Sequence, residues 1–165
     1  MLESERLILV NYTEQDLPFL ENLLTNRNIV QFIGKGEVRT KEQIYHFYQW
    51  IMDHYKLNDN YGLKLLKDKL TGENIGHAGL VPQVVESEQY IEVGYWVDEK
   101  FWGNGYASEI AHALINYGVN ELQLPKIIAL IQKGNLASEK VAVKNGLKKE
   151  KELVLNGKIV SLYTT

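Results

Sequence analysis

The 165-residue chain contains no cysteine, which excludes disulfides, thiolate metal sites and a cysteine nucleophile. Histidine is scarce too. His46, His54, His77 and His112 show no HExxH or similar ligand spacing, and zinc sites need clustered ligands, so no metal is expected. Nor is there an excess of charge of one sign. The formal net charge of -3 gives no broad cationic field for a nucleic-acid backbone, and no direct nucleic-acid partner is expected. No apolar stretch approaches the length of a bilayer-spanning helix, so no membrane partner is expected either. The opening Met1-Leu2-Glu3-Ser4-Glu5-Arg6 lacks a basic segment followed by an apolar core. A cytoplasmic location is the expectation, and the sequon Asn11-Tyr12-Thr13 is read as accidental. Low-complexity linkers, internal repeats and breaks in composition are missing as well. Residues 1–165 therefore read as one domain, long enough to bury a substantial core.

What is present is a regular alternation of elements. Arg6-Leu7-Ile8-Leu9-Val10 predicts a first strand. Thr13 with Asp16 offers a capping box ahead of a stripe of Leu17, Leu20 and Leu24, and Thr40 with Gln43 offers a second. Behind the second, Ile44, Phe47, Tyr48, Ile51, Met52 and Tyr55 recur at helical spacing and read as core. Tyr45 and Trp50 fall off that stripe and are candidates for the wall of an acceptor pocket. Residues 61–67, 75–83 and 90–97 read as three strands of an antiparallel meander. A long amphipathic helix then runs from Ala107 towards Leu122. Residues 127–131 are a nearly continuous apolar run, as in a strand covered on both faces. Asn135 starts another helix that ends near Gly146. Two final strands, 147–155 and 159–163, flank the hairpin signal Asn156-Gly157. The strand-helix-strand crossover from 90 to 131 makes those two strands parallel neighbours.

Gly103-Asn104-Gly105 falls between a buried strand and the long helix. A helix N-terminus exposes unpaired N–H groups and the positive end of the helix dipole, and glycines let an anion approach them closely. Three phosphate-binding readings compete with a plain, ligand-free connection. A P-loop needs GxxxxGK[ST], which the chain does not contain. A dinucleotide fingerprint needs a third glycine, where Ser108 stands, and an acidic residue about twenty positions later, where the chain reads Leu122-Gln123-Leu124. A coenzyme A pyrophosphate loop remains.

Glu92-Val93-Gly94-Tyr95-Trp96-Val97, followed by Phe101-Trp102-Gly103-Asn104-Gly105-Tyr106-Ala107-Ser108-Glu109, resembles the cofactor motif of the GNAT N-acetyltransferase superfamily. Within it the chain is most similar to the branch containing the ribosomal-protein N-terminal (alanine/serine) acetyltransferases. Leu2-Glu3-Ser4-Glu5-Arg6-Leu7, Ile75-Gly76-His77-Ala78-Gly79-Leu80, Asn135-Leu136-Ala137-Ser138 and Lys144-Asn145-Gly146-Leu147 agree in the same order. Three positions depart from the pattern: Lys100 where Gln or Arg is frequent, Val10 or Asn11 where an Arg is common, and Gly134 where an Asn often stands. The resemblance implies a mixed α/β, GNAT-like acyl-CoA N-acyltransferase fold. Its central twisted sheet would be mostly antiparallel, with a parallel pair splayed at the cofactor site and about four flanking helices. It also implies acetyl-CoA as cofactor, an amine acceptor (a protein N-terminus or a small molecule), and a homodimer.

The resemblance places the pyrophosphate on Trp102, Gly103, Asn104, Gly105, Tyr106 and Ala107. It places the pantetheine arm against backbone groups of Trp96 and Val97, with Asn135 on the other side. Asn135 also reads as a helix N-cap, and the two roles are compatible. Acetyl transfer requires a neutral amine, a donor to the tetrahedral oxyanion and a proton for the departing thiolate. A backbone N–H near Val97 is the oxyanion candidate. Glu92 and His77 are the candidates for accepting the amine's proton. Against these stand a solvent-facing strand residue for Glu92 and a half-buried, satisfied histidine for His77. Ser138 is the candidate partner of the thiolate, or a helix-start cap. The leading reading is acetyl transfer to a primary amine by direct attack in a ternary complex. The rival is a non-catalytic acyl-CoA-binding sensor.

Overall fold

The computed structural model describes residues 2–165. Strand β1 covers Leu7–Val10, where leucine and branched residues alternate between two faces. The Thr13–Asp16 capping box forms as expected and leads through a short tight turn into α1, Leu17–Leu24. A four-residue helix α2, Arg27–Val30, follows; Asn26 caps it by accepting from the Asn28 N–H. The Thr40–Gln43 capping box opens the long helix α3, Lys41–Leu57. Strands β2 (Gly62–Asp68), β3 (Asn74–Val85) and β4 (Glu88–Val97) form the meander. β3 and β4 run longer than the pattern indicates. They are joined by Glu86-Ser87 alone, with φ of 49° and 70°, the left-handed pair that a two-residue hairpin of this twist requires.

Helix α4 (Tyr106–Asn116) ends earlier than its apolar stripe indicates. Residues Tyr117–Glu121 widen into a π turn. Gly118 sits in that turn so close to the sheet that a Cβ would lie 2.5 Å from Ile127 Cδ1. Then come β5 (Ile128–Gln132), α5 (Leu136–Lys144), β6 (Lys148–Leu155) and β7 (Lys158–Thr164).

All seven strands join one sheet in the order β1-β2-β3-β4-β5-β7-β6. Every pairing is antiparallel except β4 with β5, as the crossover demands. Helices cover both faces. Ile110 and Leu114 of α4 pack on Leu9, Ile75, Leu80, Val93 and Ile127. Leu20 of α1 and Ile44 and Ile51 of α3 pack on Leu63, Leu65 and Val81. Each fully buried leucine or isoleucine here contributes about 1.5–3 kcal/mol relative to exposure. A smaller cluster of Val85, Ile128, Leu153 and Leu162 fills the C-terminal end of the α3 face. No helix is long and apolar enough to cross a membrane among the described residues.

Candidate active site

The parallel strands β4 and β5 are in register only at Glu92 and Ile128. Beyond that pair they diverge, and a cavity of about 610 Å³ opens between them. One bank is Glu92 to Val97, the other Ala129 to Ile131 with Gly134 to Ser138, and the glycine loop closes one end. Alternation along β4 decides what each bank offers. The Asp98 N–H bonds back to Ile75 O of β3, so the N–H and C=O groups of Tyr95 and Val97 point the other way, towards the gap. The Val97 carbonyl accepts from Trp102 Nε1 at 2.8 Å, which ties the loop to the strand. The Tyr95 N–H and C=O and the Val97 N–H are therefore available to an extended chain lying in the gap, whereas the backbone groups of Trp96, expected to hold such a chain, face β3 instead.

At the mouth, Gly103 and Gly105 have φ of +80° and +77°, a region costly for residues with a Cβ. Gly105 is the N-terminal flank of α4. Among the described residues the backbone N–H groups from Gly103 through Ser108 donate to no protein acceptor. They stand without protein partners at the positive end of the helix dipole, an arrangement suited to an anion. Tyr106 and Ala107 line the cavity with them. Asn104 does not: its side-chain Nδ2 donates to Phe101 O at 2.9 Å and Trp102 O at 3.3 Å, bracing the loop from within. Lys100 lies over the Phe101 ring, 4.8 Å from its centroid.

Glu92 sits at the apex of the gap, on the face that carries Trp96. Its carboxylate accepts from Gln83 Nε2 at 2.7 Å and from the Leu130 backbone N–H. Burial pushes its pKa up to about 7, with the two hydrogen bonds opposing the rise. The solvent-facing reading of Glu92 is thus replaced by a recessed carboxyl poised near neutrality. Ser138 projects from the first turn of α5. Its hydroxyl lies 3.1 Å from the Tyr95 hydroxyl, whose pKa burial pushes up to about 12 against the Ser138 hydrogen bond. Asn135 Oδ1 caps α5 by accepting from the Ser138 N–H at 3.3 Å, and its residue lines the cavity.

His77 is not brought into the cleft. Its ring is fully buried, with Nδ1 2.8 Å from the Tyr12 hydroxyl and Nε2 unpartnered. It packs edge-tilted on Trp96 at 4.3 Å between ring centroids, and burial lowers its pKa to about 3. The half-buried position expected from the sequence is corrected to an interior one, because β3 lies one strand in from the gap and α3 covers it. Trp96 stacks on Phe47, and Phe47 on Trp50, so an aromatic ladder runs from the cleft along α3. Trp50 belongs to that ladder, whereas Tyr45 stands outside it, exposed.

Several groups at the site escape sequence reading. Tyr95 differs in no local signal from its neighbours, and only the splayed topology brings it to the cavity. Glu99 accepts from Asn26 Nδ2 and Asn28 Nδ2 at 2.9 and 2.7 Å, and Gln132 Nε2 donates to Gly34 O at 2.8 Å. These ties hold the α2 segment, with Phe32 and Ile33, against the cavity. No cluster of metal-ligating side chains exists among the described residues.

A seven-stranded sheet with one parallel pair splayed over an anion seat defines an acyl-CoA N-acyltransferase fold, and comparison with known proteins agrees. Residues 6–148 match the acetyltransferase (GNAT) domain family, and the chain belongs to that family; it is an acyltransferase. It is 37% identical over 164 residues to the uncharacterized protein YkkB of Bacillus subtilis strain 168, covering 98% of this chain and 93% of that one. Among solved structures, it superposes on RimL, a ribosomal L7/L12 alpha-N-protein acetyltransferase in complex with coenzyme A. The TM-score is 0.78 at 22% identity, covering 98% of this chain and 94% of the other. A spermidine N-acetyltransferase from Vibrio cholerae, in complex with CoA and spermine, superposes with a TM-score of 0.77 at 19% identity, covering 97% and 95%.

Proposed function

We propose that residues 1–165 form one acetyltransferase domain that uses acetyl-CoA to acetylate a primary amine, either a protein N-terminus or a small molecule. The observation that carries this reading is the β4–β5 gap, with strand-edge groups along one bank and unpaired amides at its mouth. Gly103, Gly105, Tyr106 and Ala107 would hold the pyrophosphate through backbone N–H groups. The pantetheine arm would lie along β4 as an added strand, using the free N–H and C=O of Tyr95. Asn135 caps α5 through Oδ1 and has Nδ2 left for the arm. Two solved structures of this fold hold coenzyme A, which supports the cofactor.

Bound acetyl-CoA supplies the activated carbonyl. In this reading the protein's part is proton handling and charge stabilisation. Glu92, near neutrality in its pKa, accepts the amine's proton directly or through water. The Val97 N–H, fixed on the strand edge, donates to the developing oxyanion without reorganisation. Tyr95, sharing a hydrogen bond with Ser138, delivers a proton to the departing thiolate; a serine hydroxyl alone is a poor acid, and the pair is a better donor. Release of free thiol from acetyl-CoA across a panel of primary amines and N-terminal peptides tests the activity. Tight CoA binding with no turnover on any amine would favour a non-catalytic acyl-CoA sensor instead.

A further inference from the structure

Behind the glycine loop, on the side away from the cavity, lies a polar knot made from the start of the chain. The segment before β1 turns back on itself, with the Ser4 N–H bonded to Leu7 O at 2.8 Å and Glu3 bridged to Ile8. That turn presents Ser4 and Arg6 together to Glu109 in the opening turns of α4. The Glu109 carboxylate accepts from Ser4 Oγ (2.7 Å), the Arg6 backbone N–H (2.8 Å) and Arg6 Nε (2.6 Å), and Arg6 Nη2 lies 2.6 Å from Oε2. Burial opposes ionisation of Glu109, but these hydrogen bonds win and hold its pKa below the ordinary carboxylate range. The Arg6 carbonyl is fixed as well, accepting from the Lys69 N–H at 2.8 Å.

With its backbone and Nε anchored, the guanidinium reaches the loop itself. Nη2 donates to Asn104 O at 3.0 Å, and the plane lies 4.5 Å from the Tyr106 ring centroid. A trans peptide points its C=O and its following N–H in opposite directions. Pinning the Asn104 carbonyl towards Arg6 therefore turns the Gly105 N–H away from Arg6 and towards the cavity. The φ of +77° at Gly105 is the conformation in which that turn leads straight into α4.

We infer that Arg6, oriented by Glu109 and Ser4, is a positioning residue that presents the Gly105 amide to the pyrophosphate. It acts from outside the cavity, which it does not line. The inference rests on the proposed reading of the loop as a pyrophosphate seat. It assigns a function to the N-terminal turn that strand propensity and capping leave unexplained. The geometry uses a fixed fork, with Nε and Nη2 both on Glu109 Oε2 and Nη2 also on the Asn104 carbonyl, and lysine cannot reproduce it.

Calorimetry on the full chain with two probes, CoA and pantetheine, tests this, because pantetheine lacks every phosphate. Arg6→Ala is expected to raise the Kd for CoA by about ten-fold, equivalent to 1.4 kcal/mol, and to leave the Kd for pantetheine unchanged. Arg6→Lys is expected to behave like Arg6→Ala. Glu109→Gln, which keeps the shape and the Ser4 contact, is expected to show the same split and serves if Arg6→Ala does not fold. Equal weakening of both probes, no change in CoA affinity, or full rescue by lysine would each overturn the inference. Failure of the unmutated protein to bind CoA at all would instead sink the pyrophosphate-seat reading on which it stands.

Discussion

Replacing Glu92 with glutamine removes one titrating group from the apex of the cleft with little change of shape. The amide oxygen can still accept from the Leu130 N–H, and Gln83 can turn its own amide to present an acceptor in place of Nε2. Two effects should follow from the same physical cause. As proton acceptor Glu92 must be ionised, so kcat/KM of the unmutated enzyme should rise with pH up to about 7 and then level. The glutamine variant should lose that rise and run about 10²- to 10⁴-fold slower at pH 8.

Stability should move in the opposite direction. The folded pKa lies above the ordinary 4.5, so between those values the folded state binds more protons than the unfolded state. Stability contributed by protonated Glu92 is then complete below 4.5 and is lost as pH rises through about 7. At about 1.4 kcal/mol per pH unit, the ceiling is roughly 3 kcal/mol, and Glu92's partial exposure lowers it. Glu92→Gln should therefore gain stability relative to the unmutated protein between pH 4.5 and pH 8, by about 2–4 °C in Tm per kcal/mol for a chain of this size. Stopped thiol-release assays and thermal melts across pH read the two effects. An unchanged pH–rate profile in the variant, with its relative stability also flat, would rule out Glu92 as the titrating proton acceptor.

Other perturbations separate cofactor seating, proton return and folding. Gly105→Ala forces a Cβ into φ +77°, which should cost about 1–2 kcal/mol in chemical denaturation and weaken CoA binding; unaltered affinity would remove the loop from the seat. Tyr95→Phe should lower kcat while leaving the KM for acetyl-CoA nearly unchanged, and Ser138→Ala should do so less. A larger loss at Ser138 would reverse their order as donors. Ile51→Ala, in the fully buried α1–α3 layer, should cost about 2–5 kcal/mol by urea titration. A cost near zero would mean that α3 is not a core element.

Capping and periodicity made much of this fold legible. Thr40–Gln43 marked the start of α3, and Ile44, Tyr48 and Ile51 marked its buried face. Asn156-Gly157 marked the last hairpin, with both residues at positive φ. Short elements were less legible. Helix α2 has four residues, too few for a period to show, and its position depends on Glu99, 71 and 73 residues from its two partners. Glu86-Ser87 adopts a turn usually signalled by glycine or asparagine, so the length of β3 and β4 was hidden. The α4 stripe continues past Asn116 in composition, but the close approach of Gly118 to Ile127 opens the helix into a π turn.

The site followed the same division. Glycines between a strand and a helix marked the loop of unpaired amides proposed as the pyrophosphate seat, because that feature is local. Ranking Glu92 against His77 was not local. Both alternate towards one face of the sheet, and only the divergence of β4 from β5 leaves Glu92 beside a cavity while α3 seals His77 behind Trp96. Asn104 shows the limit of a motif: it sits inside the loop string, yet its amide is used on the loop's own carbonyls. Arg6 is farther from legibility still, since its contacts to Asn104 and Glu109 lie about a hundred residues away in sequence.

In the proposed reading the gap between β4 and β5, with the loop at its mouth, seats an acyl-CoA. Isothermal calorimetry of the full chain with acetyl-CoA tests it most directly, repeated with Gly105→Ala. One saturable site is expected on the unmutated protein, with thermal stabilisation that grows with ligand concentration, and markedly weaker binding to the variant. Absence of binding at millimolar acetyl-CoA, or equal affinity of the two proteins, would contradict it.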